Sequence, residues 1–182
     1  YKRQAVELMN SRAKMLGMNG TVYTDCTGMG EGNVTTANDT ALLCSELAKY
    51  KNLTPYLTCW LDTVRDGKAE LVNLNRLVRT YKGVTGMKAW GSEKAGSCIA
   101  ATAEKGDMSV CVVLNGCDSQ ENMNAEAKKL LNLAFDTYEI YTPELPEDMV
   151  KETVVCGGEE LSVELAPEGL YPIVIPLSLI HI

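Results

Sequence analysis

His181 is the single histidine of the 182 residues, and it sits in the closing segment Leu177-Ser178-Leu179-Ile180-His181-Ile182. That segment matches the translation of a transposase-end adapter used in preparing sequencing libraries, so we expect it to be non-native. Chemistry must then be sought among hydroxyls, amines and carboxylates, and two patterns offer it. Ser11-Arg12-Ala13-Lys14 sets a hydroxyl and an amine at the S-x-x-K spacing in which a lysine can activate a serine for nucleophilic attack. Its context argues otherwise: Ser11 lies in an ordinary amphipathic helical pattern, no S-D-N-like triplet follows, and Thr36-Ala37-Asn38 belongs to a helix cap. We read Ser11 as a solvated helix residue. The second pattern is Gly86-Met87-Lys88-Ala89-Trp90-Gly91-Ser92, followed by Glu93-Lys94-Ala95-Gly96. A lysine entering an inner strand, with glycines on both sides and a hydroxyl four residues on, can present an ammonium to a substrate carboxylate. The strand edge beside it can pair with an extended peptide through main-chain hydrogen bonds. The plainer alternative is a solvated turn lysine at Lys88 and a packing role for Trp90.

The remaining polar groups have bland readings. Asp39 is explained by a capping box, Asp25 and Glu31 lie in glycine-rich loops, and no metal-ligand spacing appears, so no metal site and no cofactor are expected. Glu147-Asp148 and Glu159-Glu160 read as solvated turns, Asn10 and Asn19 as local hydrogen-bond partners, and Trp60 and Tyr56 as core or domain-interface residues. Seven cysteines, Cys26, Cys44, Cys59, Cys98, Cys111, Cys117 and Cys156, include no C-x-x-C pair. Cys98 and Cys111 fall in apolar β-like runs and Cys44 on the apolar side of a helix, so they read as buried free thiols. That usage favours a reducing compartment, although an exported protein of an anaerobe uses cysteine the same way.

The elements that must position Lys88 follow from periodicity. A hydrophobic fraction of 46% supports a real core, and a net charge of −7 argues against a nucleic-acid partner. No stretch has the apolar length of a membrane-spanning helix. Ala5, Leu8, Met9, Ala13 and Leu16 predict a helix over 2–16 stopped by Gly17. The chain opens inside that helix without Met, charged leader or cap, so we expect further sequence upstream. Gly20, Gly28, Gly30 and Gly32 mark a loop, and Thr36-x-x-Asp39 caps a helix carrying Ala41, Leu42, Cys44, Leu47 and Ala48. Short helical and extended pieces fill 54–77. Strands over 97–103 and 108–114, joined by a Glu104–Asp107 hairpin loop, are apolar enough to lie centrally in a sheet. Met123, Ala127, Leu130, Leu131, Ala134, Phe135 and Tyr138 predict a helix covering that sheet. Short β-like runs at Thr153–Val155, Leu161–Leu165 and Tyr171–Ile175, separated by Gly157-Gly158 and Pro167-Glu168-Gly169, indicate a second, β-rich domain.

These segments resemble a known family, the serine-type D-alanyl-D-alanine carboxypeptidases of peptidase family S11, the low-molecular-mass penicillin-binding proteins. The resemblance runs from Val6-Glu7-Leu8-Met9-Asn10 and Leu16-Gly17-Met18 through the Gly28 loop and Thr35-Thr36-Ala37-x-Asp39. It continues over Gly86-Met87-Lys88, Lys94-Ala95-Gly96 and Ala125-Glu126-Ala127-Lys128-Lys129-Leu130-Leu131. It implies an α/β (α+β) part of a β-lactamase/DD-peptidase-like fold over residues 1–138, then the start of a small β-rich C-terminal domain over 139–176; the adapter match sets residues 177–182 apart as a non-native tail.

The resemblance also implies that the S-x-x-K serine and lysine and the S-x-N triplet lie upstream, so no catalytic residue is expected in this segment. Lys88-Ala89-Trp90-Gly91-Ser92 aligns with the family's K-T-G motif and the two residues after it. By that likeness Lys88 supports substrate binding and proton transfer, Gly91 supplies an oxyanion-hole N–H, and Ser92 stands in for a threonine hydroxyl. Ala89 and Trp90 depart from the motif: Ala89 lacks a hydroxyl worth about 1.5–3 kcal/mol in a bond to a charged group, and Trp90 places a ring where glycine permits close approach. The implied function is acyl transfer removing the terminal D-alanine from peptidoglycan stem peptides ending in D-Ala-D-Ala. The implied partners are those peptides and β-lactams, outside the cytoplasm, with membrane association only through an anchor outside the segment. Ala89 and Trp90 motivate an alternative, a non-catalytic penicillin-binding-like module that binds wall peptides. A third reading, an intracellular α/β protein with buried thiols, rests on the cysteines alone.

Overall fold

Asn10, rather than an apolar stripe, fastens the first helix, α1 (Lys2–Met15). Its amide group pairs with the Tyr23 backbone in both directions, Nδ2 donating to the carbonyl at 2.7 Å and Oδ1 accepting from the N–H at 2.9 Å. Asn10 therefore bridges distant segments instead of serving only its own turn. Ala13 is buried, but Leu8 is 71% exposed, so the helical spacing that placed Leu8 in the core overstated the apolar face. Gly17 ends the helix at φ +77°, a conformation that costs a side chain but not glycine. The computed structural model describes residues 2–28, 30–144, 151–154, 156–157, 162–165 and 170–179.

Thr36 caps α2 (Ala37–Ala48) by accepting from the Asp39 N–H at 3.1 Å. The Asp39 carboxylate accepts from the loop before the cap, from the Gly20 N–H at 2.8 Å and the Thr21 hydroxyl at 2.6 Å. One residue thus fixes both the start of α2 and the loop before it. Leu42, placed on the apolar side by its spacing, is exposed. The bond from Thr21, followed by that from Gly20, holds the Asp39 carboxyl below the usual carboxylate range. Asp25 is lowered to about 2, first by Thr27, with the Gly28 and Gly30 N–H groups adding to it. A folded-state pKa below the unfolded one gives a stabilisation that is complete above the unfolded value, about 3.9 for Asp, and lost as pH falls through the folded value. We expect thermal melts taken from pH 5 downward to lose stability more gradually in Asp39→Asn than in the parent, which starts from the higher value. Parallel curves would remove Asp39 from the acid response.

A 3-10 turn at Lys51–Leu53 leads into α3 (Thr54–Leu57). The hairpin of β1 (Leu61–Val64) and β2 (Ala69–Val72) and the short α4 (Leu77–Thr80) follow. The main sheet is antiparallel, order β3-β4-β5, with β3 Val84–Ser92, β4 Gly96–Lys105 and β5 Met108–Cys117. Its hairpin loop is tighter than the sequence pattern predicts. Lys105 pairs with Met108 across Gly106-Asp107 alone, with Gly106 at φ +60°. β4 is central as expected, whereas β5 lies at an edge among the described strands. Its continuous apolar run has another cause: α5 (Gln120–Thr137) packs on one face of the sheet and α2 on the other. Ile99, Ala101, Ala103 and Val112 meet Met123, Ala127 and Leu131 of α5 in one cluster. Tyr138, whose spacing continued the helix, instead begins β6.

The chain divides into two units, Tyr1–Phe135 and Asp136–Ile182. In the second, β6 (Tyr138–Tyr141) pairs antiparallel with β9 (Ile173–Pro176), and β7 (Lys151–Val154) with β8 (Ser162–Leu165). Leu177–Leu179 forms a 3-10 turn. Glu147-Asp148, Val155, Gly158, Glu159-Glu160, Leu161, Pro167-Glu168-Gly169 and His181 lie outside the described residues.

Candidate functional site

β3 is an edge strand among the described strands, not the inner strand that the sequence pattern suggests, so alternate residues direct their N–H and C=O groups away from β4. The register Lys88↔Ala100, Ala89↔Ile99 and Trp90↔Cys98 sets the phase of its side chains. Lys88 and Trp90 share one face and are exposed, Trp90 by 47%, while Ala89 points the other way and is 3% exposed. The ion pairs of the described residues involve Arg3, Arg12, Lys49, Lys51 and Lys129. The Lys88 ammonium is therefore open to an external carboxylate.

The two departures from the motif come apart in this geometry. The Ala89 methyl joins the apolar cluster containing Leu77 and Ile99, so its direct effect is on packing and not on the Lys88 face. The Trp90 side chain stands on the same face as Lys88, two residues along β3. It does not pack into the core, so its packing role is not supported.

Ser92 and Gly91 occupy the turn end of β3. The Ser92 hydroxyl accepts from the Ala95 N–H at 3.1 Å, closing a three-residue loop to Gly96, and it keeps its own proton free to donate. Gly96 turns at φ +66°, where a Cβ would stand 2.9 Å from the Cys117 carbonyl oxygen; a Cβ at Gly91 would stand 3.1 Å from that of Gly96. Glycine at both positions permits the tight hairpin next to Lys88.

The other end of β3 is held by a residue that sequence patterns did not single out. Asn75 is fully buried; its Nδ2 donates to the Gly86 carbonyl at 3.3 Å and its Oδ1 accepts from the Leu77 N–H at 3.1 Å. Asn73 supports it, accepting from the Asn75 N–H at 2.9 Å and donating to the Leu57 and Cys59 carbonyls. The one sequence trace of this brace is the Asn-Leu-Asn spacing.

Other candidates scatter. Ser11 and Lys14 are exposed on α1, away from any second catalytic group. Tyr56 is 80% exposed rather than buried. Trp60 borders an open cleft of about 580 Å³ with Val72, Leu74, Arg76 and Gln120, and the Arg79 guanidinium stacks over its ring at 4.8 Å. The cleft does not include Lys88, Gly91 or Ser92. Cys44 and Cys98 are buried and Cys111 and Cys117 half-buried, but Cys26, Cys59 and Cys156 are exposed. The expectation of buried thiols holds for β4, β5 and α2 only. No group of metal-ligating side chains assembles among the described residues.

A family profile described as D-alanyl-D-alanine carboxypeptidase, Peptidase S11, matches residues 2–118. The chain is 34% identical over 168 residues to D-alanyl-D-alanine carboxypeptidase DacF of Bacillus subtilis, across 90% of this chain and 43% of that protein. It is 30% identical over 173 residues to DacC of Escherichia coli, across 94% of this chain and 43% of that one. The chain thus spans less than half the length of these curated relatives. Among solved structures, penicillin binding protein 5 from Haemophilus influenzae matches with TM-score 0.80 at 24% identity, covering 94% of this chain and 51% of that chain, a likeness of fold. Penicillin-Binding Protein D2 from Listeria monocytogenes, in its cefotaxime-bound form, matches with TM-score 0.65 at 27% identity over 71% of this chain and 54% of that chain.

Proposed function

The chain belongs to the D-alanyl-D-alanine carboxypeptidase family, Peptidase S11, and from that premise we propose that it forms one wall of a serine-type D-Ala-D-Ala carboxypeptidase site. The reading is carried by the exposed Lys88, outside any ion pair of the described residues, on the face of edge strand β3 opposite the α5 cluster. In the full-length protein the substrate is a peptidoglycan stem peptide ending in D-Ala-D-Ala, lying along β3 as an added strand. Its terminal carboxylate faces the Lys88 ammonium and the Ser92 hydroxyl, a charge-assisted arrangement. A serine outside these 182 residues attacks the carbonyl between the two D-alanines, and the Gly91 N–H supports the oxyanion that forms. The C–N bond breaks, D-alanine leaves with a proton on its amine, and water hydrolyses the acyl-enzyme.

β-Lactams enter as substrates of the same acylation, and the setting is the cell envelope, outside the cytoplasm. No helix of the described residues is long and apolar enough to cross a membrane, so attachment to one would come from another segment. Residues 139–176 begin the family's β-rich C-terminal domain in this reading.

The test is covalent labelling of the full-length protein, without any anchor, by a fluorescent penicillin, with mass mapping of the labelled residue. Labelling at a serine of an S-x-x-K motif outside this chain is expected. A folded protein that takes up no label would instead be a wall-peptide-binding module, and a label on Ser11 would move the nucleophile into α1.

A further inference from the structure

Apart from Lys88, the sheet's α2-facing side holds a second set of reactive groups. Val110, Val112 and Leu114 of β5 point into the cluster under α5. The alternation of a strand therefore turns Cys111 and Val113 to the opposite face, where Cys111 pairs with Thr102 and α2 packs against β5. Cys44 is the buried thiol of α2, 3% exposed. The two thiols therefore face one another between helix and strand.

We propose that Cys44 and Cys111 close a disulfide that ties α2 to β5, formed by exchange with a disulfide-bearing oxidant. The Cys44 thiolate attacks one sulfur of the oxidant, making a mixed disulfide and releasing the other sulfur as a thiolate. Cys111 gives its proton to that thiolate and attacks the Cys44 sulfur; the oxidant's second sulfur leaves as a thiolate and takes up, through water, the proton that Cys44 released on ionising. Two electrons pass from the cysteine pair to the oxidant's S–S bond. Burial of Cys44 restricts the exchange to the folding chain or to an opened α2, and afterwards shields the bond from reductant. The envelope location proposed above matters only as the source of oxidant; the bond itself is independent of the Lys88 site.

The full-length protein, refolded with oxidised glutathione, is then unfolded in guanidinium chloride with N-ethylmaleimide present, digested and mapped. The expected product is a peptide containing Cys44 joined to one containing Cys111, two hydrogens lighter than the reduced pair. The melting temperature should exceed that of the protein refolded in the presence of dithiothreitol by roughly 5–15 °C, as a long closed loop predicts, and Cys111→Ser should abolish the difference. Maleimide on both cysteines after refolding would overturn the proposal. So would a map in which the oxidised pair is Cys98–Cys117, the other neighbouring thiols of the sheet.

Discussion

Replacing Lys88 with Ala in the full-length protein is expected to slow acylation by a fluorescent penicillin by about 10²–10³-fold, the range for removing one preorganised electrostatic group from a reaction centre. The fold should not notice. Lys88 is exposed and takes part in none of the ion pairs of the described residues, and exposed substitutions away from special features stay within about 0.5 kcal/mol. Loss of rate at unchanged melting temperature therefore separates a role at the substrate from a role in folding. Lys88→Arg sharpens the result: it keeps the charge but replaces a compact ammonium by a planar fork, so binding of the substrate carboxylate should survive better than proton transfer. The signature is a KM near the parent value with a reduced kcat on a D-Ala-D-Ala peptide. If Lys88→Ala labels at the parent rate, β3 is not the substrate wall and the proposed site fails.

The geometry around Lys88 also shows where the sequence was readable. Local chemistry was: Thr36 caps α2 as the Thr36-x-x-Asp39 pattern predicts, and Met123, Ala127 and Leu131 line the buried side of α5. Those signals depend on neighbours within a turn or two. Side-chain phase on β3 was not readable, because a ladder irregularity between Val84 and Gly86 precedes the motif and a one-residue slip exchanges the two faces. Only the register showed that Ala89 is a core residue and Trp90 a neighbour of Lys88. Leu8 and Tyr56 failed for a related reason. Apolar spacing predicts a buried face only if something packs on it, and α1 is instead held by Asn10 and by the Arg12–Glu46 ion pair. Polar residues that act across the fold have no periodicity to betray them.

Asn75 is the strongest case of such a residue, and its replacement should be the more costly of the two changes to the protein as a whole. Asn75→Ala leaves the Leu77 N–H and the Gly86 carbonyl without their partners in a fully buried setting. Each orphaned group costs about 1–3 kcal/mol, so a total of about 2–4 kcal/mol is expected after partial relaxation. For a chain of this size that lowers the melting temperature by roughly 5–15 °C. The consequence reaches the site because Gly86 stands two residues before Lys88 on the same strand. Without the brace the entry of β3 is free to shift, and a displacement on the order of 1 Å in a positioning element can cost about 10² in rate. Leu131→Ala supplies the comparison. It removes a fully buried side chain from α5 at a similar cost of about 2–5 kcal/mol, and the Leu131 side chain makes no hydrogen bond to β3. Acylation measured well below both melting temperatures, per folded molecule, should fall for Asn75→Ala and hold for Leu131→Ala. Equal rates in the two variants would reduce Asn75 to a purely structural residue and leave the alignment of Lys88 to the sheet register alone.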